Sequence, residues 1–174
     1  NSCINQRQSN KENQIVQTKT DSKLLKYTTG VRSILEDSKG NIWFGSYNEG
    51  VCLLHNGELQ YFTTGNGLSN NQVRSIYEDK NGLIWIGTTG KGLVKYDGSS
   101  FTYFSVRDGL SSDNITSITA DSKGNLFIGT DRGLSVSKGN KFVSYTTANG
   151  LPDNRIISLY CTGNDQIWVA TLNG

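Results

Sequence analysis

Residues able to form or break covalent bonds are scarce in this chain. The single histidine, His55, stands in a His-Asn-Gly turn, and equivalent positions further along hold Asp97 and Lys138. No G-x-S-x-G elbow, H-E-x-x-H helix or phosphate-cradling P-loop is present. The cysteines, Cys3, Cys52 and Cys161, form no C-x-x-C pair and have no metal-ligand spacing, so neither a metal nor another cofactor is expected. Carboxylates recur as Glu36-Asp37, Glu78-Asp79 and Asp121, each ahead of a glycine at Gly40, Gly82 or Gly124. They miss the D-x-[DN]-x-[DN]-G calcium pattern and are expected to anchor hairpins by accepting backbone N–H bonds. What remains is recognition chemistry, carried by amide and charged side chains.

The elements that must position those side chains are written repeatedly. Residues 31–72 align without a gap on residues 73–114, with 16 of 42 positions identical, and two further copies run from Ile115 to Arg155 and from Ile156 to Gly174. The third copy loses one residue near Arg132. A fixed period of this size marks a unit that buries its apolar face only by stacking on its neighbours. Within the first copy, Val31–Asp37, Ile42–Ser46, Val51–Leu54 and Leu59–Thr63 read as strands separated by Gly- and Asn-containing turns. Four short strands in about 42 residues make a propeller blade. The fold expected is an all-β propeller segment, with three complete blades and a partial fourth.

One slot holds Trp43, Trp85, Phe127 and Trp168, and the slot two residues on holds Gly45, Gly87, Gly129 and Ala170. A large ring beside a missing side chain is a packing rule, so all four aromatics are expected to be buried between blades. Cys52 and Cys161 lie in strand segments and are expected to be buried as small hydrophobes. Residues 23–29 match the outer strand of a blade, whereas residues 1–22 have the polar composition of a tail or tether. With no methionine in the sequence, Asn1 is expected to be a processed or trimmed end. Asn1-Ser2-Cys3 resembles a bacterial lipoprotein cleavage box, which would make Cys3 the lipid attachment and membrane tether; the alternative is an incidental thiol.

Antiparallel strands place turns alternately on two faces. One face gathers Tyr47, Asn48 and Glu49, then Thr89 and Lys91, then Asp131 and Arg132. The connectors add Asn70, Asn71 and Gln72, Asp113 and Asn114, and Asp153, Asn154 and Arg155. Arg32, Arg74, Thr116 and Ile157 share a slot on the innermost strand that could face the central channel. From these, Tyr47, Asn71, Arg74, Lys91, Asn114 and Arg132 are the expected ligand-binding residues. Asn and Asp in connectors also serve local turns, which is the alternative for each of them.

The string VRSIYEDKNGLIWIGTTGKGLVKYDG, with the connector FTTGNGLSNNQV, resembles the two-component regulator propeller repeat over residues 24–174. That resemblance implies the extracytoplasmic sensor part of hybrid two-component regulators, in the periplasm or on an outer-membrane lipoprotein. It further implies non-catalytic recognition of a glycan or oligosaccharide in signal transduction. A protein-interaction scaffold or ring-forming subunit is the alternative, with a homo-oligomer or a larger propeller as the assembly. A lyase of the streptogramin-cleaving type shares short W-x-G/T strands, but it relies on a histidine-centred site that one turn histidine does not supply. The formal charge of +2, with 17 Lys and Arg scattered among 15 Asp and Glu, carries no nucleic-acid footprint.

Overall fold

A computed structural model describes residues 25–174. Three repeats each form a four-stranded antiparallel sheet in up-and-down order. The first contains β1 (Val31–Glu36), β2 (Ile42–Ser46), β3 (Val51–His55) and β4 (Glu58–Phe62). The second contains β5 (Val73–Glu78), β6 (Ile84–Thr88), β7 (Leu93–Tyr96) and β8 (Phe101–Phe104), and the third β9 (Ile115–Ala120), β10 (Leu126–Thr130), β11 (Gly133–Lys138) and β12 (Lys141–Tyr145). The fourth is a pair, β13 (Ile156–Cys161) and β14 (Ile167–Thr171). The first strands β1, β5, β9 and β13 pack against one another and form the innermost layer of a propeller arc.

In the three complete blades, the hairpin between the first two strands is held by one aspartate. Asp37 Oδ1 accepts from the N–H groups of Lys39 and Asn41, while Oδ2 accepts from the Trp43 indole at 2.8 Å. Asp79 repeats the pattern with Asn81, Leu83 and the Trp85 indole, also at 2.8 Å. One carboxylate therefore closes a turn and fixes the ring that fills the next seam. Trp43 stacks on Phe62 and meets Tyr96 of the second blade edge-on.

The glycine slot does what its size demands. A Cβ on Gly45 would come within 2.6 Å of Val73 Cγ1, and one on Gly87 within 2.5 Å of Ile115 Cγ2. Gly129 lies in the same relation to Ile156. Val73, Ile115 and Ile156 are fully buried there, so each blade docks its first inner residue onto the glycine of the blade before.

The last blade departs from expectation. Trp43 and Trp85 are 3% and 7% exposed, but Trp168 is 65% exposed. Two physical reasons combine: no blade packs on β14 among the described residues, and Thr162 replaces the aspartate that would anchor the indole, bonding instead to Asn164 and Gln166. Phe127 is only partly buried, and Cys161 is half-buried where Cys52 is fully buried. The outer strand expected at 23–29 is not formed by residues 25–29, which are unpaired chain; the rest of it, with Cys3 and the polar stretch 1–22, lies outside the described residues. Tyr27 nonetheless docks on the first blade, its hydroxyl donating to the carbonyls of Phe44 and Gly50 at 3.1 Å, and its ring meeting Tyr61 edge-on.

Candidate functional site

Connectors and the loops after each second strand meet on one face, as their hydrogen bonds show. Gly50 N–H donates to the Asn71 carbonyl and Thr89 N–H to the Gln72 carbonyl, so one connector bridges the loops of two blades. The connectors are rigid. In each, a side-chain oxygen of Asn71, Asp113 or Asn154 accepts from the backbone N–H of Thr64, Val106 or Thr147 at 2.7–2.9 Å. Each then turns through a left-handed glycine, Gly67, Gly109 or Gly150. Asn71 therefore spends its carbonyl oxygen on shaping the connector, the role that local turn chemistry had offered as its alternative.

The inner strand opens with a bulge in all four repeats, falling at Arg32, Arg74, Thr116 and Ile157. A bulge inserts one residue, breaks the alternation of faces and re-aims that side chain. Consequently Val73 and Ile76 are both buried although three residues apart, and Arg74 between them is exposed. The shared slot thus faces the centre of the arc.

There the second, third and fourth blades enclose an open concavity of about 550 Å³, lined by Arg74, Thr89, Asn114, Thr116, Asp131, Arg155, Ile156 and Ile157. Asn114 Nδ2 donates to Asp131 Oδ2 at 2.9 Å and holds that carboxylate in the wall. The remaining Asp131 oxygen and the hydroxyls of Thr89 and Thr116 are buried without a partner among the described residues. Orphaned polar atoms cost stability, and at a wall they mark places where an incoming polar group gains more than its usual hydrogen bond.

Of the six expected ligand-binding residues, Arg74 and Asn114 line this concavity, whereas Tyr47, Asn71, Lys91 and Arg132 do not. The Arg32 guanidinium lies 4.0 Å over one face of the Tyr47 ring, and Tyr47 stays 48% exposed. Lys91 and Arg132 are exposed. Thr89, Asp131 and Arg155 belong to the expected face but were not singled out, and Thr116 and Ile157 share the channel slot. The signal that could have found them is the V-x-S-I spacing of buried residues, which only a bulge reconciles with a strand.

His55 lies on the opposite face, in the turn between β3 and β4, where its ring contacts Asn41 and Asn56. Among the described residues no cluster of His, Cys, Asp and Glu could hold a metal ion, and no helix is long and apolar enough to cross a membrane.

The family model described as two component regulator propeller matches residues 28–48, 67–90, 109–132 and 150–173, together more than half of the chain. No significant match was found among curated protein sequences. Among solved structures, the extracellular domain of the putative hybrid two component system BT3049 from B. thetaiotaomicron is similar at 28% identity and a TM-score of 0.78 over 90% of this chain. That of BT4673 from the same organism is similar at 26% and 0.70 over 84%. This chain spans only 22% and 23% of those two. Virginiamycin B lyase from Staphylococcus aureus, at 18% identity and a TM-score of 0.70, shares the fold over 87% of this chain and 52% of its own length.

Proposed function

The chain belongs to the two component regulator propeller family, and from that premise we propose that it is an extracytoplasmic recognition module that binds an oligosaccharide in the central concavity without turning it over. The observation that carries the reading is the bulge, repeated in every inner strand, which in the second, third and fourth blades brings one variable side chain each, Arg74, Thr116 and Ile157, to a common polar space. A scaffold that is fixed in its seams and variable at one slot is suited to recognition. The extracellular domains of similar fold support placement outside the cytoplasm and a sensing role. The non-catalytic reading is supported by the place of His55, on the face away from the concavity.

Calorimetry of the chain against an oligosaccharide panel tests this. Thr116→Trp, which fills the concavity from a partly exposed slot, should abolish binding while leaving the thermal midpoint in place. Binding that survives this change would remove the site.

A second reading, a protein-docking or ring-closing role, is favoured by the uncovered ends of the arc. Trp168, Tyr160 and Leu172 at one end and Ile34 at the other are exposed. Light scattering over a concentration series tests it: a monomer throughout argues against self-association.

A further inference from the structure

We propose that the ligand of the concavity is an acidic saccharide, its carboxylate or sulfate received by Arg74 and Arg155 and its hydroxyls by Asp131 and Thr116. This rests on the reading of the concavity as a ligand site and adds the ligand's charge.

The argument begins with two guanidinium groups lining one space. Among the described residues, neither has a carboxylate within ion-pair distance or a hydrogen-bond acceptor. Arg32, the repeat counterpart of Arg74, differs in lying over the Tyr47 ring and outside the concavity. Asp131, the one acid of the wall, is turned toward Asn114 instead of either arginine. Guanidinium forks match carboxylate and sulfate oxygens in pairs, which is the partner that this arrangement leaves open.

Room for such a ligand comes from the third blade. It places Thr116 where the first two blades carry arginine, and the connector leading into it holds Asn114 where the next connector holds Arg155. Its loop after the second strand is also shorter by a residue than those of the first two blades. Arg74 and Arg155 therefore flank a blade whose own side chains are short.

Two further observations choose a hydroxylated anion over the alternatives. No aromatic ring lines the concavity, so a neutral sugar lacks its usual stacking surface. A bare inorganic anion would satisfy the arginines but bring no donor to the orphaned Asp131 oxygen. An acidic saccharide supplies both.

The test is calorimetry of the full chain against five probes: tri-galacturonate, its carboxyl-reduced galactose counterpart, a sulfated chondroitin disaccharide, inorganic sulfate and poly-glutamate. The expected result is binding of one of the two acidic saccharides, at least about tenfold tighter than either the reduced sugar or sulfate. Arg74→Gln and Arg155→Gln should each weaken it about tenfold, while Lys141→Gln, the same charge change on β12, should not. Tri-galacturonate binding alone names the carboxylate; disaccharide binding alone that is lost on desulfation names the sulfate, and binding that survives desulfation names the disaccharide's own uronate carboxylate. Equal binding of the acidic and reduced sugars, lost in Thr116→Trp, would overturn the charge inference and leave the ligand site standing. Sulfate binding as tightly as the saccharides, tighter binding of poly-glutamate, or no binding of either acidic saccharide would each overturn the proposal.

Discussion

Replacing Gly87 by alanine adds one methyl group at the seam between the second and third blades. That Cβ would lie 2.5 Å from Ile115 Cγ2 and 3.0 Å from Ile115 Cβ. Ordinary carbon contact is about 3.5 Å, so something must give by about 1 Å. Ile115 is fully buried against Leu93, Leu110, Leu126 and Ile128, and it cannot step aside without opening the seam. A gap of that size forfeits a quarter to a half of each contact's attraction, and overpacked cores lose about 1–3 kcal/mol. Alanine recovers about 0.4–1 kcal/mol by restricting the unfolded chain, since Gly87 does not occupy the left-handed region. The net expectation is a loss of about 1–2 kcal/mol, a fall of about 1 M in the urea midpoint followed by tryptophan fluorescence. Gly163→Ala, where a Cβ meets nothing within 4 Å, is the matched control and should be neutral or slightly stabilising. Ile115→Ala removes the methyl nearest the clash, so the double variant should be less destabilised than the sum of the singles by about 1 kcal/mol. Strict additivity, or a Gly87→Ala midpoint equal to that of Gly163→Ala, would refute the seam argument.

Other expectations follow from particular contacts. Glu49 Oε1 accepts from the N–H and hydroxyl of both Thr28 and Thr29, holding Tyr27 beside Cys52; in a Cys3→Ser, Cys161→Ser background, Glu49→Ala should speed alkylation of Cys52 about tenfold or more, and an unchanged rate would contradict the clasp. Burial works to raise the Asp37 carboxyl, but the Trp43 indole, then the side chain and backbone of Asn41, outweigh it and hold the group below its ordinary 3.8. A carboxylate depressed in the folded state stabilises above its unfolded value and loses that contribution as pH falls, so stability should hold from neutral pH to about 4 and decline below it. Glu49, held low by the Thr29 N–H, and Asp165, held low by the Ser122 hydroxyl, act in the same direction; Asp37→Asn should flatten the acid limb of a pH-dependent urea series. Of three tryptophans, acrylamide should quench Trp168 and spare Trp43 and Trp85; loss of that quenching at high protein concentration would report a partner on β14.

The fold was legible because its signals are redundant. The ring-and-glycine slot, the Asp-x-x-Gly turn and the strand pattern each recur, and each has one physical meaning. What the sequence concealed came from single positions whose context changes along the array. Trp168 carries the same letter as Trp85, yet burial needs a following blade and an aspartate at the turn, and Thr162 stands there instead. Asn71 looked like a ligand group because amides serve turns and ligands equally, and only its bond to Thr64 separates the roles. Tyr47 reads as an open ring, but one of its faces is occupied by Arg32. The channel slot holding Arg74 was legible from its place at the start of the inner strand, but the reason that it points inward, the bulge, was not read.

On the rim away from the concavity, each seam is fastened differently. Ser38 gives both its N–H and its hydroxyl to Glu78, Ser122 gives the same pair to Asp165, and between them Lys80 bonds the Lys123 carbonyl. A chain made of near-copies risks a folding error in which a blade docks on the wrong neighbour. If the first blade met the third, Ser38 would face Ala120, which occupies the position of Glu78 and has no side-chain oxygen to accept either bond. The two serine fasteners therefore act as keys cut for one neighbour each, and blades alike enough to share a core are given a preferred order.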